Sequence, residues 1–232
     1  LVSNNTEVGY YTTAFKLYSV ILGFFTAFTN VMLPRMSSLL ANGEKDRFQE
    51  LVNRSFSVMS TCCIPLILCS MILTPQIIYI LSGPGYEGAI LPMRIIMPAA
   101  FVVGMAQVLA IQVLMPMKKD KVLLMASIIG AVVSLLINLL VVPSVASVGS
   151  AIVLVCSETV VTGTYVVYVL SKGLAWIPIK VIGKSVSYSL PCTVVCWGCG
   201  RWIENAFVGV IYTVILVGIV WGIKHLCGVN KN

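Results

Sequence analysis

Val122–Val142 reads VLLMASIIGAVVSLLINLLVV, twenty-one residues without a charged side chain. A helix needs roughly 20 apolar residues to cross about 30 Å of hydrocarbon, and this stretch has them. Six further apolar stretches meet the same test: Tyr11–Leu33, Phe56–Leu81, Ala89–Pro116, Val148–Leu170, Val181–Trp202 and Ala206–Ile223. Lipid offers no partner to a backbone amide, so each span must satisfy its own, which makes it a helix. The alternating segments of about ten residues that mark a membrane β-barrel do not occur in the sequence. The composition agrees. Hydrophobic residues make up 59% of the chain, charged residues 10%, and mean hydropathy is +1.00, whereas soluble domains carry about 25% charge. The expected fold is all-α, a polytopic membrane bundle of about seven helices.

The net charge of +7 invites a nucleic-acid reading, which the positions of the charges exclude. Lys45, Arg47 and Arg54 follow the first span, Lys118, Lys119 and Lys121 the third, Lys172, Lys180 and Lys184 the fifth, and Lys224 and Lys231 the seventh. The alternate loops hold little beyond Arg201. Basic loops stay in the cytoplasm, so Leu1 is expected outside and Asn232 inside. The chain starts at Leu1 with no signal peptide and opens on the polar run Ser3-Asn4-Asn5-Thr6-Glu7. It reads as a piece of a longer protein, cut just after an earlier span and ending at a natural basic C-terminus.

Within the loop 42–54, Phe48, Leu51, Val52 and Phe56 recur at helical spacing between charged residues, the pattern of a short helix lying on the membrane surface. Pro65, Pro75, Pro92, Pro98 and Pro191 fall inside spans and each removes a helical hydrogen bond. Pro98, with Gly104 nearby, is a candidate hinge. Ala126, Gly130 and Ser134 sit four apart, a small-residue face suited to close helix packing. Cys192, Cys196 and Cys199 share one helical face with no histidine near and read as packing residues. The sequons at Asn4 and Asn53 matter only in a eukaryotic secretory pathway.

Glu158, near the middle of the fifth span, is the outstanding polar group. A carboxylate at that depth is costly unless paired, protonated or hydrated, and marks functional sites. It reads either as a coupling or gating group or as a structural hydrogen-bond partner. Lys16 and Arg94 lie a turn and a half inside the outer ends of their spans, where they either snorkel or line a cavity for an anionic group. Asn138, Gln107 and Gln112 are read as interhelical contacts. No metal-ligand cluster, carboxylate pair, nucleophile elbow or phosphate loop is present in the sequence, and no enzyme is expected.

Several motifs carry a resemblance. Val8-Gly9-Tyr10-Tyr11 with Ala14, Lys16 and Pro34, then Leu81-Ser82-Gly83-Pro84-Gly85-Tyr86 with Ala89 and Arg94-Ile95, and above all Asn138, Pro143, Gly149 and Glu158, resemble the C-terminal half of the polysaccharide biosynthesis, or O-antigen flippase, family. It belongs to the superfamily that holds the multidrug and toxin extrusion (MATE) proteins. The chain departs at Ala146 and Ser150, where Gly and Ala are usual. The resemblance covers residues 8–170.

The resemblance implies one lobe of a two-lobe transporter. Residues 1–10 are then an outer loop after a missing span, 11–170 five spans of the lobe, and 171–232 two additional spans with a short cytoplasmic tail. The implied cargo is an undecaprenyl-diphosphate-linked oligosaccharide, flipped across the bacterial inner membrane by alternating access. It implies no cofactor, with a proton or sodium gradient as the drive. The implied partners are the lipid-linked oligosaccharide, membrane lipid, the missing N-terminal half, and a polysaccharide polymerase with glycosyltransferases. In that frame Arg94 and Lys16 bind the head group, Glu158 couples or gates, and Asn138, Pro143, Gly149 and Pro98 pack or hinge. Two rivals are a multidrug or cation antiporter of the same superfamily, which would favour acidic over basic cavity residues, and a non-transporting scaffold of a polysaccharide assembly complex.

Overall fold

The computed structural model describes residues 5–176, 178–202 and 218. The expected seventh span, Gly218 aside, lies outside them, as do the side chains of Pro191, Cys192, Cys196 and Cys199. The described chain is helical from end to end: α1 (Asn5–Ala41), α2 (Lys45–Ile72), α3 (Thr74–Ser82), a 3-10 turn (Glu87–Ala89), α4 (Ile90–Gln107) running into a π-helical turn (Val108–Leu114), α5 (Asp120–Ser171) and α6 (Ile179–Trp202). It is an all-α polytopic membrane bundle. Four of these segments are long and apolar enough to cross a membrane, and the longest, α5, does so twice.

Alpha 5 is a hairpin. Val145 (φ −135°, ψ 16°) and Ala146 (φ 44°, ψ −115°) leave helical geometry and reverse the chain. The arms 120–144 and 147–171 then pack side by side. Gly130 on the first arm faces the Val161 side chain and the Ser157 carbonyl on the second, so the small-residue face lets two backbones approach. The hairpin accounts for the expected fourth and fifth spans.

Two other expected boundaries differ. The second expected span covers Phe56 to Leu81 with Pro65 and Pro75 inside it; in the structure α2 ends at Ile72 and α3 starts at Thr74. Pro75 is the cause: it has no N–H for the Met71 carbonyl four residues back. Thr74 Oγ1 bonds that carbonyl instead, donating to Met71 O at 2.9 Å, and also donates to Ser70 O at 2.7 Å. The surface helix expected in 42–54 is the first part of α2, continuous with the span. Its apolar face is covered by protein, with Phe48, Val52 and Phe56 at most 2% exposed.

Alpha 4 is the centre of the bundle. It packs against α1, α2 and α5, and α6 lies along the far side of α2. The core is built of Met36, Met59, Met93 and Met97 with Ala14, Ala99 and Ala100, all at most 1% exposed. Association between helices in lipid rests on such close packing and on interhelical hydrogen bonds. One is Gln107 Nε2 donating to Thr26 Oγ1 at 2.7 Å, between α4 and α1. The outward faces stay apolar, as lipid allows: Val20, Phe24, Val31, Leu135, Leu139 and Leu140 are 62–77% exposed.

The helices alternate direction, so two ends can be named. At the Gly85 end, Thr13 and Ser82 share a hydrogen bond of 3.1 Å and the Tyr10 and Tyr86 rings meet edge-on at 5.8 Å. The Leu81–Tyr86 turn needs left-handed backbone at Gly83 (φ 77°) and Gly85 (φ 91°), which glycine adopts without a Cβ clash. At the opposite, Lys118 end lie the turns 41–45, 115–119 and 172–178.

Candidate functional site

Alpha 1 and the second arm of α5 run parallel and share a polar seam. At the Gly85 end, Glu7 Oε2 accepts from Ser147 N at 3.2 Å and from Ser147 Oγ at 2.5 Å. Ser147 opens the second arm, where the first amide N–H groups have no helical partner and the dipole favours negative charge. Glu7 therefore caps a helix from a different segment. Four residues on, Tyr11 joins Glu7, Val8, Val142, Ala146, Ser147 and Ser150 around a small pocket of about 90 Å³. Tyr11, Phe15 and Tyr18 form an aromatic ladder, with centroids 5.9 and 5.4 Å apart. The seam then reaches Glu158. This residue is half-buried, and Tyr18 of α1 and Tyr165 of α5, 3% and 6% exposed, are within electrostatic reach of its carboxylate. Among the described residues no hydrogen bond or ion pair holds that carboxylate; the one ion pair among them is Arg47–Glu44. An unpaired carboxyl at mid-span, with two phenols in electrostatic reach, can exchange a proton or take up a cation.

The two candidate cations are elsewhere. Arg94 is exposed and its Nε donates to Met71 O at 3.3 Å, the carbonyl that Pro75 deprives of a backbone donor at the α2–α3 joint and that Thr74 Oγ1 also bonds. Lys16 is exposed and stands two residues before Tyr18, so it points about 160° away from the seam. Glu158, Arg94 and Lys16 thus have three separate surroundings, and the described lobe does not bring them together. Pro98 is exposed in mid-α4, while Gly104, one turn and a half later, touches Met59. Asn138 is exposed on the first arm of α5 and its amide makes no hydrogen bond among the described residues. Gln112 is 0% exposed in the π-helical turn with both amide atoms unpaired.

Comparison with known proteins places this lobe. The MatE family profile matches residues 3–140, more than half of the chain. The chain belongs to the MatE family. Over 174 residues it is 26% identical to an Escherichia coli (strain K12) protein described as "Putative O-antigen transporter", covering 75% of this chain and 41% of that protein. Its fold matches a solved structure described as "Lipid II flippase MurJ, inward closed conformation" with a TM-score of 0.81, at 15% identity, over 97% of this chain and 48% of that one. The chain thus spans about half the length of both. It shares the fold of that structure over nearly its whole length and is a multi-pass membrane protein.

The hairpin turn gives physical content to the MatE-like motif around Pro143. Pro143 is exposed two residues before the reversal. Gly149 is buried just after it, against the backbone of Val141 and Val142. Ala146 holds φ 44° and ψ −115°, a conformation in which a Cβ costs about 1–3 kcal/mol. Ala146→Gly should therefore stabilise the protein by about 1 kcal/mol, read as a higher melting temperature for the full-length protein in detergent.

Sequence reasoning gave no site role to Glu7, Tyr11, Tyr18 or Tyr165. The signal was present: Glu7, Tyr11, Ala14 and Tyr18 follow the spacing of one helix face. What the sequence lacked was the partner face, because Ser147, Ser150 and Glu158 are about 140 residues away.

Proposed function

We propose that this chain is one lobe of a flippase that moves an undecaprenyl-diphosphate-linked oligosaccharide across the bacterial inner membrane by alternating access. The observation that carries the reading is the agreement of two likenesses. The sequence resembles that of an O-antigen transporter, and nearly the whole chain folds like half of a lipid II flippase. Both descriptions name a carrier of a glycan or its lipid-linked form. A sugar head group cannot cross hydrocarbon unaided, whereas a cavity between two lobes can shelter it while the tail stays in lipid. Rocking of the lobes then exposes the cavity to each side in turn. The polysaccharide polymerase and glycosyltransferases that consume and supply such a cargo are its expected partners.

In this reading Glu158 couples or gates. It belongs to the second arm of α5, on the seam with α1, and separation of the two segments would open that seam. The drive is a proton or sodium gradient. Arg94 and Lys16 are the cations that meet the diphosphate at the outer side. Arg94→Ala should then impair export more than Arg94→Lys at equal protein level, because the guanidinium is a forked phosphate donor, and Lys16→Ala should impair it less. Export assays on the three variants check this; equal export by all three removes both residues from the substrate path.

The Lys118 end is cytoplasmic in this account. Membrane-impermeant labelling of single cysteines at 45 and 119 should require opened cells, and at 85 should not. Labelling at 119 in intact cells would reverse the orientation.

A multidrug or cation antiporter is the second reading. The group that the seam between α1 and α5 holds at depth is acidic, while Arg94 and Lys16 point elsewhere. An antiporter would confer drug resistance on a sensitive strain and leave surface polysaccharide unchanged in a flippase-null strain. A flippase restores the polysaccharide.

A further inference from the structure

The turn between α5 and α6 is held by an unusual clamp. Gln49, on the second turn of α2, reaches across to residue 176. Its Nε2 donates to Trp176 O at 3.0 Å and its Oε1 accepts from Trp176 N at 2.9 Å. The same Nε2 donates to Asn53 Oδ1 at 2.9 Å, so both amide protons are placed. One side chain thus pins the backbone of Trp176, 127 residues away.

The clamp displays apolar surface where the chain leaves the membrane. Trp176 is 78% exposed and Ile179 76%. Tryptophan concentrates at the level of the lipid head groups because its ring is apolar with one polar edge. Cations flank it. Lys45 and Lys172 are exposed. Lys45 is four residues before Gln49 and so shares its face; Lys172 is four before Trp176, and Lys180 falls in the first turn of α6. Asp46 is the acidic residue near that face of α2. The whole end is electropositive: residues 35–54, 118–121 and 172–184 hold ten Lys and Arg against four Asp and Glu, so six of the chain's seven net positive charges lie there.

We propose that the Gln49–Trp176 clamp builds a binding site for an anionic phospholipid head group, with Trp176 and Ile179 seated in the interface and Lys45 and Lys172 supplying the counter-charge. The occupant is a lipid of the surrounding leaflet. Exposed apolar side chains at a membrane end ask for acyl chain, and the excess of cations asks for a head group with net negative charge. Each basic residue near an anionic leaflet contributes about a fivefold gain in partitioning. The site is independent of the cargo: it lies at the Lys118 end, away from Glu158 and from Arg94.

The test uses the full-length transporter with Trp176 as its sole tryptophan, in nanodiscs of phosphatidylcholine containing either brominated phosphatidylglycerol or brominated phosphatidylcholine at equal mole fraction. Bromine quenches an indole only at close range. Both lipids should quench Trp176, and the anionic one more strongly. Lys45→Gln with Lys172→Gln should remove that preference, roughly fivefold per cation, while leaving quenching by the neutral lipid. Gln49→Ala should weaken quenching by both, because the Trp176 backbone can exchange its two bonds for water and the fold survives. Equal quenching by the two lipids in the starting protein would overturn the anionic site. Absence of quenching by either would overturn it too, since Trp176 would then face protein or water.

Discussion

Glu158→Gln in the full-length transporter is expected to leave the protein in the membrane at normal level and to cut export by roughly 5- to 150-fold, the range that 1–3 kcal/mol of lost coupling produces. Glutamine keeps the length, the shape and most of the hydrogen bonding of glutamate, and it takes away the charge and the titration. The surroundings of Glu158 make that difference matter. Its carboxylate has no ionic or hydrogen-bonded partner among the described residues, and Tyr18 and Tyr165 are its electrostatic neighbours. A structural carboxyl would be tied into a neighbouring helix, and glutamine would replace it with little loss. Normal export by Glu158→Gln, at matched protein level, would return the residue to a structural role.

Gly149→Ala is the second large effect, and it falls on folding. A Cβ at Gly149 would stand 2.9 Å from Val142 Cα and 3.2 Å from Val141 O. These are backbone atoms of the opposite arm, next to the reversal, and they cannot swing aside as a side chain would. The cost is expected at the upper end of the 1–3 kcal/mol typical of overpacking, or beyond it, seen as a sharp fall in expression and melting temperature. Gly163→Ala is the control. It lies on the same arm with nothing within 4 Å of the added Cβ, and alanine is the better helix former by about 1 kcal/mol. Equal behaviour of the two variants would contradict the hairpin packing.

Much of the fold was legible because one rule dominates in lipid: a span is long, apolar and helical. Val122–Val142 and Val148–Leu170 needed no partner to be read, and the structure joins them through the turn at Ala146. Where local chemistry competed with that rule, the reading drifted. Pro75 split the second expected span, although proline is tolerated in many membrane helices. The amphipathic pattern around Phe48 was legible, but its partner was not, since an apolar face looks the same whether it meets lipid or the core. The candidate site was legible in one residue. Glu158 stands out because a carboxylate in a span is rare. Glu7, at the start of α1, looked like an ordinary polar flank. Its role at Ser147 depends on two helices aligning in parallel, which no local signal encodes. By depth alone Arg94 reads either as a snorkelling side chain or as a cavity cation, and its bond to Met71 O follows from a joint that only the folded chain reveals.

The most direct test of the flippase reading is transport itself. The full-length protein should be reconstituted into vesicles with a labelled undecaprenyl-diphosphate-linked oligosaccharide, and the head groups reachable by a membrane-impermeant glycan-modifying reagent counted over time. A flippase makes the inner-leaflet pool reachable, faster with the wild-type chain than with Glu158→Gln. A reachable fraction no larger than in protein-free vesicles, from protein that is folded and inserted, would contradict the account.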